Sequence, residues 1–254
     1  MQLGNPQHPI YSQLLHSAQE ILADETVQEC AIGKKCVAVA TERGVGLAFT
    51  TDSAWKMIRQ TNIRALEKRL QSCPLRLLLP HYLQDDPLHC ALALAAINSL
   101  LLSVSGDPCQ EKWIDSLKKG QKLALIGHFR PLLEELHNRG FEPIIFELLP
   151  LRGTFPPERA VDLLPLCDAV LITGSTFANK TIHNYLPHIH PEADVWISGP
   201  STPLADFLLD RFSLGSRVVC NRQVVLEAVR TGAGMRNLKQ VMCKVVRKRN
   251  QTVS

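Results

Sequence analysis

The chain has 254 residues, 45% of them hydrophobic, and a formal net charge of +4; this composition suits one large or two modest globular domains and argues against disorder. Its basic residues scatter in small groups with no interleaved aromatic stripe, which argues against a nucleic-acid surface. The longest apolar stretch, Cys90 to Leu102, is interrupted by Asn98 and Ser99 and falls short of the roughly 20 residues that span a bilayer.

The first segment, MQLGNPQHPIYSQLL, lacks a basic region followed by an apolar one, so neither export nor membrane insertion is expected and the cytoplasm is the expected compartment. From Pro9 to about Leu22 the apolar residues recur with the period of an amphipathic helix. Residues 26–50 shift toward a period of two and predict three short strands, TVQECAI, CVAVAT and VGLAFT, the last two joined by a turn at Glu42-Arg43-Gly44. Helices follow over roughly 54–71 and 87–103. Around Ser103 to Pro108 the pattern breaks, which divides a small α+β domain, 1–105, from a second domain, 109–254.

From Lys122 onward strands near 122–126, 143–147, 169–173, 194–198 and 217–220 alternate with helices near 131–139, 157–165, 181–189, 204–212 and 222–231. Such alternation predicts a parallel sheet covered by helices, a Rossmann-like α/β domain. The basic run Lys244 to Arg249 reads as a solvated terminus. The eight cysteines, at 30, 36, 73, 90, 109, 167, 220 and 243, contain no CxxC pair. They are expected to be buried small hydrophobes, and a zinc site made of them would need ligands from distant segments.

Three glycine loops stand directly behind apolar strands: LALIGHFRPLLEEL at Gly127, AVLITGSTFANKT at Gly174 and VWISGPSTPL at Gly199. In a parallel sheet such loops gather at the carboxyl ends of the strands, where helix N-termini favour polar or anionic ligands. His128 beside the first glycine is the best single candidate for site chemistry. Twenty residues past Gly127, Glu147 stands where dinucleotide and adenosyl folds place an acid on a ribose, although GHFRPL lacks the full GxGxxG signature. GSTFANKT matches the P-loop spacing except that Asn179 replaces the second glycine, and no Walker B aspartate accompanies it. Ser201 or Thr202 can cap a helix whose first position is Pro203. His183, His188 and His190 are poorly spaced for one metal and read as surface residues near a helix end. Asn98, inside an apolar helix, needs a hydrogen-bond partner, so it either ties the helix to backbone or faces the interdomain cleft.

The segments LALIGHFRPLLEEL, LITGSTFANKTI and GPSTPL, preceded by ALALAAINSLL and GLAFT, resemble the family known as "putative heavy-metal chelation", formerly a domain of unknown function, across nearly the whole chain. The resemblance implies a domain like the enolase N-terminus, a Rossmann-like domain after it, and a site in the cleft between them. Carried over by motif, the implied ligand-binding residues are Asn98, Gly127, Pro131, Glu147, Thr173, Gly174, Ser175, Thr176, Asn179, Thr181, Gly199, Pro200, Ser201, Thr202 and Pro203. Lys180 stands where the family usually has glycine and is expected to point to solvent.

No nucleophile elbow and no HExxH motif appear, and His128 with Glu147 are the only acid-base candidates. The leading expectation is a protein that binds a small anionic or nucleotide-like ligand, or a metal chelate, in the cleft. A transferase using an adenosyl or nucleotide cofactor and a noncatalytic interaction subunit are the alternatives. The cofactor would be a metal complex or an adenosyl or nucleotide compound. The partners would be small molecules, with neither nucleic acid nor membrane, and self-association into a homo-oligomer stays open.

Overall fold

The computed structural model describes residues 7–102, 113–232 and 241–249. Its helices are α1 (Pro9–Glu20), α2 (Asp52–Ile58), α3 (Ile63–Leu70), α4 (Leu75–Leu78), α5 (Pro87–Leu101), α6 (Arg130–Asn138), α7 (Ala160–Leu163), α8 (Ser175–Ala178) and α9 (Arg222–Arg230). The strands β1 (Glu29–Ile32), β2 (Cys36–Ala40) and β3 (Val45–Phe49) form an antiparallel meander. A separate six-stranded sheet contains β4 (Leu123–Ile126), β5 (Ile144–Phe146), β6 (Ala169–Thr173), β7 (Asp194–Ser198), β8 (Ser213–Val219) and β9 (Met242–Arg247). Its order is β5-β4-β6-β7-β8-β9, parallel except for the antiparallel β8–β9 pair. The expected mixed α/β architecture therefore holds. The strand order reverses at β4, and in such sheets ligands settle at the carboxyl ends beside that reversal. The domain boundary expected near Gly106-Asp107-Pro108 lies outside the described residues.

All five residues of β2 are buried because the small sheet is covered on both faces. Val37, Val39 and Ala48 point into a core with α5, which also receives Ile126, Val170, Ile172 and Ile197 of the large sheet. Ala38, Ala40 and Leu47 point the other way, against Val225, Leu226 and Val229 of α9. Asp86 caps α5 by accepting from the Leu88 and His89 N–H groups, with Pro87 in the first turn. A side chain on Gly46 would sit 2.0 Å from the Ala95 carbonyl oxygen, so β3 lies directly on the α5 backbone. Among the described residues no helix is long and apolar enough to cross a membrane.

Several helices expected from periodicity are shorter or absent. The segment expected as one helix over 54–71 breaks after Ile58, and Asn62 caps a second helix by accepting from the Ala65 N–H. Residues 181–189 form two 3-10 turns, Ile182–Asn184 and Leu186–His188, because Pro187 cannot supply the helical N–H. Residues 157–165 are likewise split into 3-10 turns around α7. Within 204–212 only the turn Asp206–Leu208 is helical. Pro203 does not open a helix, so Ser201 and Thr202 are not its caps. The last parallel strand starts at Ser213, earlier than expected. The basic run is no free tail: Lys244 and Arg247 belong to β9, and Arg247 donates to the Leu204 carbonyl and pairs with Asp206.

Candidate functional site

The first two glycine loops are each shaped by close contact with the next. Gly127 follows β4 with φ +102°, donates its N–H to the Phe146 carbonyl, and leaves room for Thr173, whose methyl would lie 2.7 Å from an added Cβ. Gly174 donates to the Ser198 carbonyl, and a Cβ there would meet Thr202 Oγ1 at 2.4 Å. Gly199 has φ +139° and donates to the Gly215 carbonyl. Glycine at 127 and 199 answers the left-handed backbone; at 174 it answers the approach of another loop.

Between these loops and the end of the small sheet lies a cavity of about 390 Å³. Its polar lining comes mainly from the large sheet: Thr173, Ser175, Thr176, Asn179, Thr181, Glu147 and His128, with the backbone of Gly127, Gly199 and Pro200 and the hydroxyl of Ser201. Thr173 Oγ1 and Ser175 Oγ lie 3.1 Å apart, Thr176 donates to the Thr173 carbonyl, and Thr181 donates to Asn179 Oδ1 at 2.6 Å. The side chains are thus preset by one another. Ser201 Oγ accepts the Phe49 N–H at 2.8 Å, which ties the third loop to the end of β3.

The apolar lining was not visible in the loop motifs. Ile126, Phe129, Phe146, Leu148, Leu149 and Tyr185 also line the cavity, and Lys35, Cys36, Ala48, Phe49, Thr51, Asp52 and Ser53 reach it from the small sheet and the start of α2. Burial, with the Glu147 carboxylate second, raises the Tyr185 hydroxyl above its ordinary range, so it stays a hydrogen-bond donor at neutral pH. Burial pushes the Cys36 thiol up to about 12, which makes it an inert wall group. Glu147 Oε1 accepts the Leu148 N–H at 2.8 Å, which orients the carboxylate at the end of β5.

Four of the motif residues, Asn98, Gly174, Thr202 and Pro203, are not in the cavity lining. Asn98 is buried away from it and donates to the Leu47 carbonyl, so it binds α5 to β3 instead of facing the cleft. Gly174 and Thr202 lie directly against each other, and Pro131 stands in the first turn of α6. Lys180 reverses its expectation. It is fully buried with φ +57°, donates to the Tyr82 carbonyl, and its Nζ lies 4.3 Å from the Tyr82 ring centroid and 5.4 Å from that of Tyr11. An amine held there cannot reach a phosphate in the cavity, so the P-loop reading falls.

His183 Nδ1 lies 2.8 Å from the Tyr11 hydroxyl and its ring stacks on His8 at 4.9 Å. His188 lies in the second 3-10 turn and His190 accepts the Glu192 N–H. Among the described residues no group of three or more His, Cys, Asp or Glu is placed to hold a metal ion. The donors around the cavity therefore do not fit a bare heavy-metal ion.

Comparison with known proteins agrees with this architecture. The model of a family described as "putative heavy-metal chelation", DUF364, matches residues 112–248, and that of DUF4213, with the same description, matches residues 14–101. A solved structure of a DUF364 protein of unknown function from Desulfitobacterium hafniense is similar at a TM-score of 0.78 and 24% identity, covering 95% of this chain and 99% of the other. One from Pyrococcus horikoshii, also of unknown function, gives 0.77 and 22%, covering 93% and 98%. At these identities the likeness concerns the fold. No curated protein matches the chain.

Proposed function

Since the chain belongs to the DUF364 family described as "putative heavy-metal chelation", we propose that its cavity binds a small organic molecule able to wrap a metal, or the resulting chelate, and not the bare ion. The observation that carries this reading is the mixed lining: hydroxyl and amide groups of Thr173, Ser175, Thr176, Asn179 and Thr181 share one cavity with Phe49, Phe129, Phe146, Leu148 and Leu149. A cavity with a broad apolar surface and a few preset polar groups suits an organic body with a hydrogen-bonding edge. Lys35 adds a cation for an anionic substituent. A second reading, an adenosine-containing cofactor used in group transfer, is supported by Glu147, which lines the cavity at the end of β5 beside the strand-order reversal.

Native mass spectrometry and thermal shift of the freshly purified protein test both. The probes are a divalent metal ion alone, the same ion in a planar aromatic chelator, the free chelator, and an adenosine nucleotide. A response to chelator or chelate that Asn179→Leu and Phe49→Ala abolish, with melting curves otherwise retained, is the expected result. A response to adenosine nucleotide that Glu147→Gln removes would move the assignment to the second reading. A response to bare metal ion alone would overturn both, and silence toward every probe would favour a noncatalytic interaction subunit.

A further inference from the structure

We propose that Cys220 and Cys243 form a reversible disulfide, a redox modification site that fixes α9 against the small sheet. The β8–β9 register pairs Val218 with Cys243 and Val219 with Met242. Side chains alternate along a strand, so Cys220, one step past Val219, shares a face with Cys243 across one diagonal of the ladder. The two Sγ atoms are 2.8 Å apart and both side chains are exposed. A disulfide is about 2.05 Å long, so closure needs less than about 1 Å of side-chain movement. The ladder continues past the pair through the bond from Cys220 N–H to the Val241 carbonyl, which holds both strand ends in place.

No other described cysteine offers this. Cys30, Cys36, Cys90 and Cys167 are buried, and burial pushes Cys30 and Cys36 up to about 12 and Cys167 to about 11. The two thiols share a hydrogen bond in which either can be the donor, so each can steady the thiolate of the other and the exchange can start from Cys220. Its thiolate attacks one sulfur of a low-molecular-weight disulfide such as oxidised glutathione and releases one small thiol after protonation. Cys243 then gives up its proton and attacks the Cys220 sulfur of the mixed disulfide, releasing the second small thiol. Two protein thiols are oxidised and one external disulfide is reduced to two thiols.

The new bond closes a loop that contains α9. Val225, Leu226 and Val229 of that helix pack on Ala31, Ala38 and Ala40, and a Cβ at Gly33 would sit 2.0 Å from the Val229 carbonyl oxygen. Just beyond that contact, Lys35 and Cys36 enter the cavity wall. Oxidation therefore pins the helix that backs one wall of the cavity, whatever molecule the cavity holds.

The full-length protein, equilibrated in glutathione buffers of increasing oxidised fraction and then blocked with a maleimide, should lose two alkylatable thiols. Peptide mapping should place them in a Cys220–Cys243 cross-link that excess reduced thiol reverses. Cys243→Ser should trap a single glutathionyl group on Cys220, and Cys220→Ser a single one on Cys243, because neither variant keeps a second thiol to resolve the mixed disulfide. Hydrogen exchange of α9 should slow in the oxidised protein. Wild-type protein that carries stable mixed disulfides at these positions, or no modification, would overturn the site; α9 exchange unchanged by the cross-link would overturn the pinning. The wild-type mapping holds even if a serine variant folds poorly.

Discussion

The small sheet and the large sheet meet the same cavity, yet they are built in different ways. The small sheet has short strands rich in alanine and valine, and it is buried on both faces only because α9, from the far end of the chain, lies on one of them. What it contributes to the cavity is held there by long-range packing. The large sheet forms by local alternation of strand and helix, and its contribution is a row of loops whose hydroxyl and amide groups bond to one another within a few residues. Disturbing the small-sheet side should therefore unsettle the fold, whereas disturbing the loop side should change the site and leave the fold standing.

Lys180 is the residue most able to break that partition. It belongs to a loop of the large sheet, but its side chain is buried against Tyr82 and Tyr11 of the N-terminal half. Lys180→Ala empties a buried volume and should cost about 2–5 kcal/mol in urea unfolding, as other large-to-small core changes do. Lys180→Gly leaves the same void but relieves the left-handed backbone, so it should be less damaging than alanine by about 1 kcal/mol. Lys180→Met, which keeps the volume, should cost least of the three. Equal, negligible losses would mean that the side chain is solvated after all.

Gly33→Ala tests the small-sheet side directly. Its methyl would strike the Val229 carbonyl, a backbone atom that cannot swing away. A loss of about 1–3 kcal/mol is expected, together with faster hydrogen exchange of α9. Ser201→Ala sits between the two regimes, because the hydroxyl accepts the Phe49 N–H across the seam. About 1–2 kcal/mol should be lost with that acceptor, and any probe that binds the cavity should bind more weakly. By contrast, Asn179→Leu should leave the unfolding midpoint nearly unchanged.

Where strands are continuous apolar runs, as in LALI, AVLIT and DVWIS, the chain order and the loops behind them are legible from sequence. So are the polar groups of the site, since glycine and small hydroxyl residues punctuate those strand ends. The apolar half of the cavity was not legible. Phe49, Phe129, Phe146 and Leu148 look like any core residues, and only the apposition of the two sheets turns them toward one space. Asn98 advertised that it needed a partner but not which way it would point. β9 was hidden by its lysine and arginine residues, which also serve to guard an edge strand; the buried Met242 and Val245 were the available signal. The exposed cysteine pair was invisible because 23 residues separate its members, and only the β8–β9 register joins them.

The smallest effect expected lies at His183, where the two halves touch outside the cavity. Burial, with the neighbouring His8 second, lowers its pKa below the ordinary value of about 6.5. Burial also raises the Tyr11 hydroxyl above its ordinary range, so Tyr11 stays protonated and shares a hydrogen bond with Nδ1 of the neutral imidazole. Between the depressed folded pKa and about 6.5 the unfolded chain binds more protons at this residue than the folded one does. Its contribution therefore favours the folded state less as pH falls below about 6.5, and the decline levels off below the folded pKa. In wild-type protein this adds a modest downward slope to the unfolding free energy on acidification through that window. His183→Gln keeps a hydrogen-bonding group near Tyr11 but cannot titrate, so the slope should shrink while stability at pH 8 changes little. A variant whose pH profile runs parallel to that of the wild type would show that the Tyr11–His183 contact does not carry the linkage, and that the halves are held there by the ring packing alone.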